Sequence, residues 1–351
     1  MKKVISLMIL LLIFITATFF GCASIQKKID TSSLSGVAKD IQEDFRPGNP
    51  EDLRNLIKDF SLETETRPLF LNDIKVEPLD RWEIKHPLGK DLIMEKISFP
   101  SLITHEKGFD RAVFYIYRSP EWKDKDVILW APGMAVSDFA FHLIKHFFDE
   151  EIKRDYNIVF YVPPFHLERT EEGKENSEGL FTADVERNVK VFLNTVRELR
   201  TISEYLRGEG VQNIGGWGGS IGATMLLLTS QMVDLDHLCI MIPILDWGTV
   251  LLNKEHMGEV VSRLGENGFD EILIRGAYDL INPVQYELNM NPERIHVMYG
   301  EYDQLTPPDV IIEYAQNNGI SKISSYERSH ATILLTRKLY QDYGLFLDTL
   351  K

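Results

Sequence analysis

A serine between closely spaced glycines is the first group in this sequence that could carry out covalent chemistry. Residues 218–222 (GGSIG) have the spacing Gly-x-Ser-x-Gly, which is typical of a sharp strand-to-helix turn that exposes a serine hydroxyl. Glycine is needed there because the backbones of the strand and the helix approach too closely for side chains. The segment 211–214 before it has a strand pattern, and an apolar helical pattern follows from Ile221. We therefore predict that Ser220 is a nucleophile.

A glycine-rich phosphate-binding loop is the alternative interpretation of this segment. It is disfavoured because the sequence contains no GxxxxGK pattern and no GxGxxG pattern that opens the fold.

A serine hydroxyl is a weak nucleophile at neutral pH, so it needs a base, and an acid must orient that base. In folds with this turn the order along the chain is Ser, then Asp or Glu, then His. Asp303 lies in the loop after the apolar run 295–299, and His330 is the only one of the nine histidines beyond that loop. The predicted triad is Ser220, Asp303 and His330. Three other acids remain alternatives to Asp303, namely Glu301, Asp246 and Asp279, and the alternative role for His330 is a surface histidine that caps a helix.

Alternating strand and helix patterns must position these residues. From about residue 110, short apolar runs that are typical of strands buried on both faces alternate with helical patterns. The clearest helix has an apolar stripe from Val185 to Leu206. The pattern predicts a doubly wound α/β fold with a mostly parallel sheet, helices on both faces and the site at the carboxyl ends of the strands. The predicted strands are 112–117, 127–130, 158–162, 211–214, 238–242, 295–299 and 322–326, and the predicted helices are 51–60, 138–150, 182–206, 221–233, 307–317 and 331–350.

These features resemble the α/β-hydrolase superfamily over roughly residues 110–351. The resemblance implies two backbone N–H donors that stabilise an oxyanion: Ile221, which follows the nucleophile, and a residue in the loop after strand 127–130. We predict Met134 as the second donor, by resemblance to hydrolases with a glycine at the preceding position. The histidine that is common before that glycine is replaced here by Pro132. The resemblance implies a hydrolase that needs neither a cofactor nor a metal.

A second stretch resembles a bacterial branch related to the abhydrolase-domain 18-like hydrolases. In that branch a Pro-x-His-x-x-Arg loop at a strand end and a Ser-Gly-Glu-like loop precede the nucleophile. Residues 163–170 (PPFHLERT) carry the first loop, and residues 176–179 (NSEG) match the second in part. We expect His166 to line the pocket mouth, to bind a carboxylate, or to be a structural histidine bonded to its own loop.

The first 24 residues have the pattern of an export signal. Two lysines follow Met1, the apolar run Val4–Phe20 carries no charge, and small residues follow. Gly21-Cys22 resembles the lipobox of bacterial lipoproteins, in which the cysteine is acylated, although phenylalanines at 19 and 20 depart from the usual pattern. The resemblance implies that Cys22 carries a lipid anchor in the cell envelope. An uncleaved helical anchor and an ordinary cleaved signal are the alternatives.

The expected organisation is a signal peptide (1–21), a lipid-attached tether with one short helix (22–65) and a hydrolase domain (66–351). Residues 245–291 are expected to contribute cap helices over the pocket. Their Leu, Met and Tyr content favours an apolar acyl group in the substrate.

Composition and charge exclude several classes of protein. The chain has 351 residues, of which 44% are hydrophobic and 26% charged, so it is not a disordered, collagen-like or polytopic membrane protein. With 38 basic and 53 acidic residues the formal charge is −15, which disfavours nucleic acid as a partner. The two cysteines, Cys22 and Cys239, provide neither a disulfide framework nor a zinc site, and Cys239 is expected to be a buried, inert thiol.

The leading hypothesis is a lipid-anchored serine hydrolase that acts on a small-molecule ester or acyl substrate. An acyltransferase or peptidase with the same triad is the enzymatic alternative, since the fold does not fix the acyl acceptor. A binding protein that has kept the hydrolase scaffold is the non-catalytic alternative.

Overall fold

A computed structural model describes residues 23–69, 74–79, 92–103, 111–134 and 138–351. The predicted signal peptide, with the lipid attachment site at Cys22, lies outside the described residues. None of the helices within the described ranges has the length and apolarity needed to cross a lipid bilayer.

Nine strands of the described residues form one mixed sheet in the order β1-β2-β3-β5-β4-β6-β7-β8-β9. The pairs from β1 to β3, and the pair β3–β5, are antiparallel, whereas all pairs from β5 to β9 are parallel. The strands are β1 Lys75–Leu79, β2 Ile93–Pro100, β3 Arg111–Arg118, β4 Val127–Ala131, β5 Asn157–Val162, β6 Ile214–Gly219, β7 Leu238–Met241, β8 Ile295–Gly300 and β9 Lys322–Tyr326.

Three helices of the described residues precede the sheet, and the others connect its strands or follow the last strand. They are α1 Ala23–Glu43, α2 Pro50–Asp59, α3 Leu62–Glu65, α4 Asp138–Lys153, α5 Val185–Gly208, α6 Ile221–Thr229, α7 Trp247–Leu251, α8 Lys254–Glu266, α9 Glu271–Asp279, α10 Pro308–Asn317 and α11 Arg337–Asp348. A 3₁₀ turn at His330–Leu335 takes the place of the first part of the predicted last helix.

Side chains along the central strands alternate between two apolar cores, one on each face of the sheet. In β4, Val127 and Leu129 belong to the core that α5 and α6 cover, whereas Ile128 and Trp130 belong to the core that α4 and α11 cover. All four side chains are fully buried. Helices therefore lie on both faces, and the predicted doubly wound, mostly parallel α/β fold is confirmed.

Strand β6 begins later than the sequence pattern indicated, and the glycines predicted to follow it lie within it. Gly215 and Gly216 pair with neighbours in β4 and β7. A Cβ atom on Gly215 would lie 2.0 Å from the ring of His237, and one on Gly216 would lie 2.5 Å from the side chain of Leu238. The glycines are therefore strand residues that leave room for side chains of the adjacent segment.

Residues 23–43 form helix α1, where the sequence analysis expected a tether. The buried residues of α1 recur every three or four positions and so form one stripe: Gln26, Asp30, Leu34, Ala38 and Ile41. The apolar members of this stripe belong to the same core as Leu53 of α2 and Leu62 of α3. Residues 23–65 therefore pack onto the main domain. The polar residues at the start of the stripe concealed this helix from a hydrophobic-pattern search.

Candidate active site

The parallel strands end along one edge of the sheet, which brings the loops after them together. Ala131 of β4 pairs with Gly218 of β6, and Gly219 of β6 pairs with Met241 of β7. The loops that follow β4, β6, β8 and β9 carry the residues that the sequence analysis selected as a catalytic group.

Ser220 lies at the apex of the turn between β6 and α6. Its φ and ψ angles are 51° and −120°, which is a strained conformation for a residue with a side chain. A Cβ atom on Gly222 would lie 1.8 Å from the carbonyl oxygen of Ala131, and one on Gly218 would lie 2.6 Å from the Cα of Ala223. The two glycines of the Gly-x-Ser-x-Gly pattern are therefore required by backbone contacts within and around the turn.

The structure brings Ser220, His330 and Asp303 into one hydrogen-bonded chain. His330 Nε2 lies 2.9 Å from Ser220 Oγ, and His330 Nδ1 lies 2.8 Å from Asp303 Oδ2. A carboxylate oxygen only accepts hydrogen bonds, so Nδ1 is the donor to Asp303 and Nε2 accepts from the hydroxyl of Ser220. This tautomer leaves the imidazole able to take the proton of Ser220.

Asp303 is buried, and four donors satisfy its carboxylate. Oδ1 accepts from the backbone N–H groups of Leu305 (2.8 Å) and Thr306 (2.7 Å). Oδ2 accepts from the hydroxyl of Thr306 at 2.6 Å, in addition to His330. Sequence reasoning missed Thr306, although an Asp in a loop commonly bonds to the backbone two residues on, as Asp303 does with Leu305, and this brings the next residue close to its carboxylate.

The surroundings of His330 favour its protonated form. Burial of the ring disfavours the imidazolium, but the negative charge of Asp303, its hydrogen bond to Nδ1 and the negative charge of Asp30 outweigh burial. Together they hold the pKa of His330 above its usual value. A histidine that takes up a proton readily is suited to act as a general base.

The two predicted oxyanion donors lie close to Ser220. Ile221 is the first residue of α6, so its N–H has no acceptor within the helix and lies at the positive end of the helix dipole. Gly133 passes against the nucleophile, since a Cβ atom on Gly133 would lie 3.0 Å from the Cβ of Ser220. Met134, directly after it, lines the same cavity as Ser220.

An apolar cavity of about 320 Å³ opens beside Ser220 and His330. Within the described part of the chain, its only charged or hydroxyl-bearing walls besides these two residues are Asp30 and Ser33 of α1. The remaining walls are mainly large apolar side chains that come from α1, β6, the loop after β7 and α7, among them Leu34, Trp217, Ile242, Ile244, Trp247 and Leu251. Helix α7 belongs to the segment 245–291, which was expected to provide cap helices.

His166 does not line this cavity. It is 1% exposed, and its Nδ1 lies 2.7 Å from the carbonyl oxygen of Pro164 in the same loop. Burial lowers the pKa of His166 to about 4, so the ring is neutral at neutral pH and cannot form an ion pair with a carboxylate. The same loop carries the buried Arg169, which forms a two-bond ion pair with Glu198 of α5 at 2.8 and 3.0 Å.

The three alternative acids have partners other than His330. Glu301 is exposed and accepts from the hydroxyl of Ser325 at 2.9 Å. Asp246 caps α7 by accepting from the N–H and the hydroxyl of Thr249. Asp279 accepts from the amide of Asn282 at 2.8 Å.

No protein-family model matches this sequence, and no curated protein matches it either. Solved structures do match its fold. Acetyl xylan esterase 1 from Thermoanaerobacterium sp. JW/SL YS485 has a TM-score of 0.57 at 14% identity, covering 86% of this chain and 94% of that chain. An acetyl xylan esterase from Paenibacillus sp. R4 has a TM-score of 0.53 at 9% identity, covering 90% of this chain and 98% of that chain.

The chain has the α/β-hydrolase fold. Identities this low establish the fold and leave the reaction to be argued from the site. The resemblance to the α/β-hydrolase superfamily began at about residue 110, and a short helix was predicted at 51–60, which is α2 in the structure. The structure adds α1, α3, β1 and β2 before residue 110.

Proposed function

We propose that this protein is a serine hydrolase that cleaves carboxylic esters through an acyl-enzyme. The observation that carries the proposal is the continuous chain of hydrogen bonds from Asp303 through His330 to Ser220, with heavy-atom distances of 2.8 and 2.9 Å. This chain ends on a serine that is held in a strained turn and lines a cavity. A nucleophile, its base and the residue that orients the base are the three parts that acyl transfer to a serine requires.

The first half of the reaction forms the acyl-enzyme. As Ser220 Oγ bonds to the ester carbonyl carbon, its proton moves to His330 Nε2, and Asp303 stabilises the resulting imidazolium. The N–H groups of Ile221 and Met134 stabilise the negative charge that develops on the carbonyl oxygen. When the bond to the leaving alkoxy group breaks, His330 Nε2 gives its proton to that oxygen.

The second half of the reaction releases the acid. Water attacks the acyl carbon, its proton passes to His330 Nε2, and the bond to Ser220 Oγ breaks as that proton returns to the serine. The products are a carboxylic acid and an alcohol, and the enzyme regains its starting form.

The cavity favours an apolar acyl group. Its walls carry few polar groups, and these are concentrated near the triad and on α1. A carbonyl at Ser220 would then place its acyl chain against apolar side chains, where burial is favourable by roughly 25 cal/mol per Å² of apolar surface. The two neighbouring structures are named as acetyl xylan esterases, which supports an ester over an amide as the substrate.

A fluorophosphonate probe tests whether Ser220 is an activated nucleophile. We expect the wild-type protein to be labelled at Ser220 and Ser220→Ala to be unlabelled. Ester turnover by Ser220→Ala should be lower than that of the wild type by about four to six orders of magnitude. Ser321→Ala, at an exposed serine, is the matched control and should behave as wild type. Absence of labelling of the folded wild-type protein would instead favour a binding protein on a hydrolase scaffold.

A series of p-nitrophenyl esters tests the substrate class. Acetyl, butyryl, octanoyl and palmitoyl esters should be compared with an amide and a thioester of the preferred acyl group. We expect KM to fall as the acyl chain lengthens until the cavity is filled. A preference for the amide would indicate a peptidase instead.

We also propose that the mature protein is anchored to the cell envelope by a lipid on Cys22. The support is the sequence pattern at residues 1–24, with a basic start, an uncharged apolar run and the Gly21-Cys22 pair. Cys22→Ser, and separately a globomycin-type inhibitor, should each block processing and leave the precursor in place. If both leave processing unchanged, the lipid anchor is ruled out.

We further propose that the chain belongs with the abhydrolase-domain 18-like branch of the fold. The supporting feature is the Pro-x-His-x-x-Arg loop, whose Arg169 is fully buried against Glu198. If the branch shares this loop, its members should carry an acid at the position of Glu198, and an alignment of homologues tests that pairing.

A further inference from the structure

Two polar side chains of α1 contact the loops that carry His330 and Asp303. Gln26 and Asp30 are one helical turn apart, and their exposed fractions are 1% and 0%. Both lie on the buried stripe of α1, beside the 3₁₀ turn that begins at His330. Their oxygens therefore belong to the immediate surroundings of the proposed base.

Asp30 connects the loop of the base to the loop of the acid. Its Oδ2 accepts from the backbone N–H of His330 at 3.0 Å and from that of Gln304 at 3.1 Å. Its Oδ1 accepts from the backbone N–H of Ala331 at 3.1 Å. Because Gln304 directly follows Asp303, one carboxylate holds together the two loops whose side chains must meet.

Gln26 extends the same contact by one residue. Its Oε1 accepts from the backbone N–H of Ser329 at 3.0 Å and from the hydroxyl of Thr332 at 2.6 Å. Three consecutive backbone N–H groups, at 329, 330 and 331, thus donate to side chains of α1. The start of a helical turn leaves such donors without backbone partners inside the turn, and α1 supplies acceptors for all three. The N–H of Ser329 also donates to the hydroxyl of Thr332 at 3.1 Å.

The buried position of the Asp30 carboxylate is unfavourable for the free energy of folding. Among the described residues, the side-chain charges that act on Asp30 are those of Asp303 and His330, with no lysine or arginine among them, and a buried carboxylate without a cationic partner is unfavourable. Burial and the nearby charge of Asp303 raise the pKa of Asp30, although His330 and the backbone donors act in the opposite direction. The cation that Asp30 faces arises only when His330 takes up a proton.

We propose that Asp30, assisted by Gln26, is a positioning residue that keeps the Asp303–His330 pair aligned for catalysis. The proposal rests on the triad assigned above. Helix α1 then has two tasks, since Leu34 and Val37 form part of the apolar cavity wall while Asp30 and Gln26 hold the loops of the proposed triad. Asp30 borders the cavity as well, but it is 0% exposed and its oxygens accept from backbone N–H groups. The first task affects substrate binding, and the second affects the chemical step.

Asp30→Asn is the main test, because it keeps the size of the side chain while removing its charge and one of its acceptors. We expect kcat for the acetyl ester to fall by about 10- to 100-fold, the loss that slight misplacement of catalytic groups causes, with KM changed by less than about twofold. Asp40→Asn is the matched control, since Asp40 is an exposed acid on the same helix. It should leave kcat and KM unchanged.

The pH profile provides a readout that a purely structural role of α1 would not change. The charged groups that face the His330 ring are Asp303, from the loop after β8, and Asp30, from α1. Removing the charge of Asp30 should move the acid limb of kcat/KM to lower pH, because the imidazolium loses a stabilising negative charge. The limb should stay in place in Asp40→Asn.

A second variant keeps the test decisive if Asp30→Asn does not fold. Gln26→Met removes the acceptor that α1 supplies to the N–H of Ser329, which keeps Thr332 Oγ1 as its other acceptor. The variant leaves Asp30 in place, so kcat should fall by about tenfold with no shift of the acid limb. If a folded Asp30→Asn retains wild-type kcat and pH profile, or if Gln26→Met retains wild-type kcat where Asp30→Asn cannot be obtained, the proposal is wrong. If Ser220→Ala also retains activity, the error lies in the proposed function itself.

Discussion

Replacing Asp303 by asparagine should nearly abolish ester turnover, and the hydrogen bonds of Asp303 explain why. Its carboxylate accepts from four donors, two on each oxygen. An asparagine side chain offers one acceptor oxygen and one NH₂ group, so the NH₂ group must face one of the two donor pairs.

The two orientations of the asparagine differ in cost. If the NH₂ group takes the place of Oδ1, it faces the backbone N–H groups of Leu305 and Thr306, which cannot turn away. Each buried donor left without an acceptor costs about 1–3 kcal/mol. If the NH₂ group takes the place of Oδ2, it can donate to the Thr306 hydroxyl once that hydroxyl has rotated. It can also donate to His330 Nδ1 once the ring has changed tautomer. The second orientation is therefore favoured, and it places the ring proton on Nε2, facing Ser220.

A histidine with its proton on Nε2 cannot take the proton of Ser220. We expect kcat for Asp303→Asn to fall by about 10⁴-fold, the size of the effect known for the same change in a serine protease triad. That loss corresponds to about 5.4 kcal/mol of transition-state stabilisation, at 1.36 kcal/mol per tenfold. Turnover of p-nitrophenyl acetate and the thermal midpoint should be measured on the same preparations.

Glu301→Gln is the matched control, since Glu301 is an exposed acid in the same loop. It should retain wild-type turnover. If folded Asp303→Asn keeps more than a tenth of wild-type kcat while Asp246→Asn or Asp279→Asn loses activity, then Asp303 is not the acid of the triad.

Three further predictions concern pH, the nucleophile turn and a buried ion pair. Wild-type kcat/KM should fall as the pH is lowered through the pKa of His330, with a midpoint above 6.5 because that pKa is raised; a pH–rate profile with a midpoint below 6.5 would contradict this. Gly222→Ala should unfold the protein or lower its thermal midpoint strongly, because the added Cβ would lie 1.8 Å from the Ala131 carbonyl oxygen. Gly258→Ala is the control: the added Cβ has open space and should stabilise α8 by about 0.5–1 kcal/mol. Equal thermal midpoints for the two variants would refute the steric argument. Arg169→Met leaves Glu198 buried without its cation and should cost about 3–5 kcal/mol in urea unfolding, while Lys338→Met, at an exposed partner of Asp342, should cost less than about 1 kcal/mol.

The central sheet could be predicted because its strands are short continuous apolar runs. Strands β4, β5, β7 and β8 lie within one or two residues of the predicted segments, since strands buried on both faces have few polar residues to interrupt the pattern. The strand predicted at 211–214 lies before most of β6 (Ile214–Gly219) because the glycines of β6 were interpreted as turn residues. Whether a glycine ends a strand or makes room for a neighbour depends on residues that lie far away in the sequence, such as His237.

The residues of the candidate site that could be predicted are those that residue type and order along the chain determine. Ser220, Asp303 and His330 followed from one spacing pattern and one rule of order, and the fold then placed them in hydrogen-bonding range. Thr306 required attention to a local turn. His166 could be assigned a structural position only from its burial and its bond to Pro164, because a histidine in a loop is chemically ambiguous until its surroundings are known.

Helix α1 was missed for a reason that also explains its importance. An amphipathic helix is recognised in a sequence by regularly spaced apolar residues. The buried stripe of α1 begins with the polar residues Gln26 and Asp30, so its first part lacks that pattern. Those two residues are buried because their acceptor atoms match backbone donors at 304, 329, 330 and 331. A helix that packed only to cover the core would gain more from apolar residues at both positions. The departure from the hydrophobic pattern in α1 therefore marks the part of the helix that contacts the loops of the proposed triad, and the regular part of the stripe, from Leu34 to Ile41, marks the part that packs against the core.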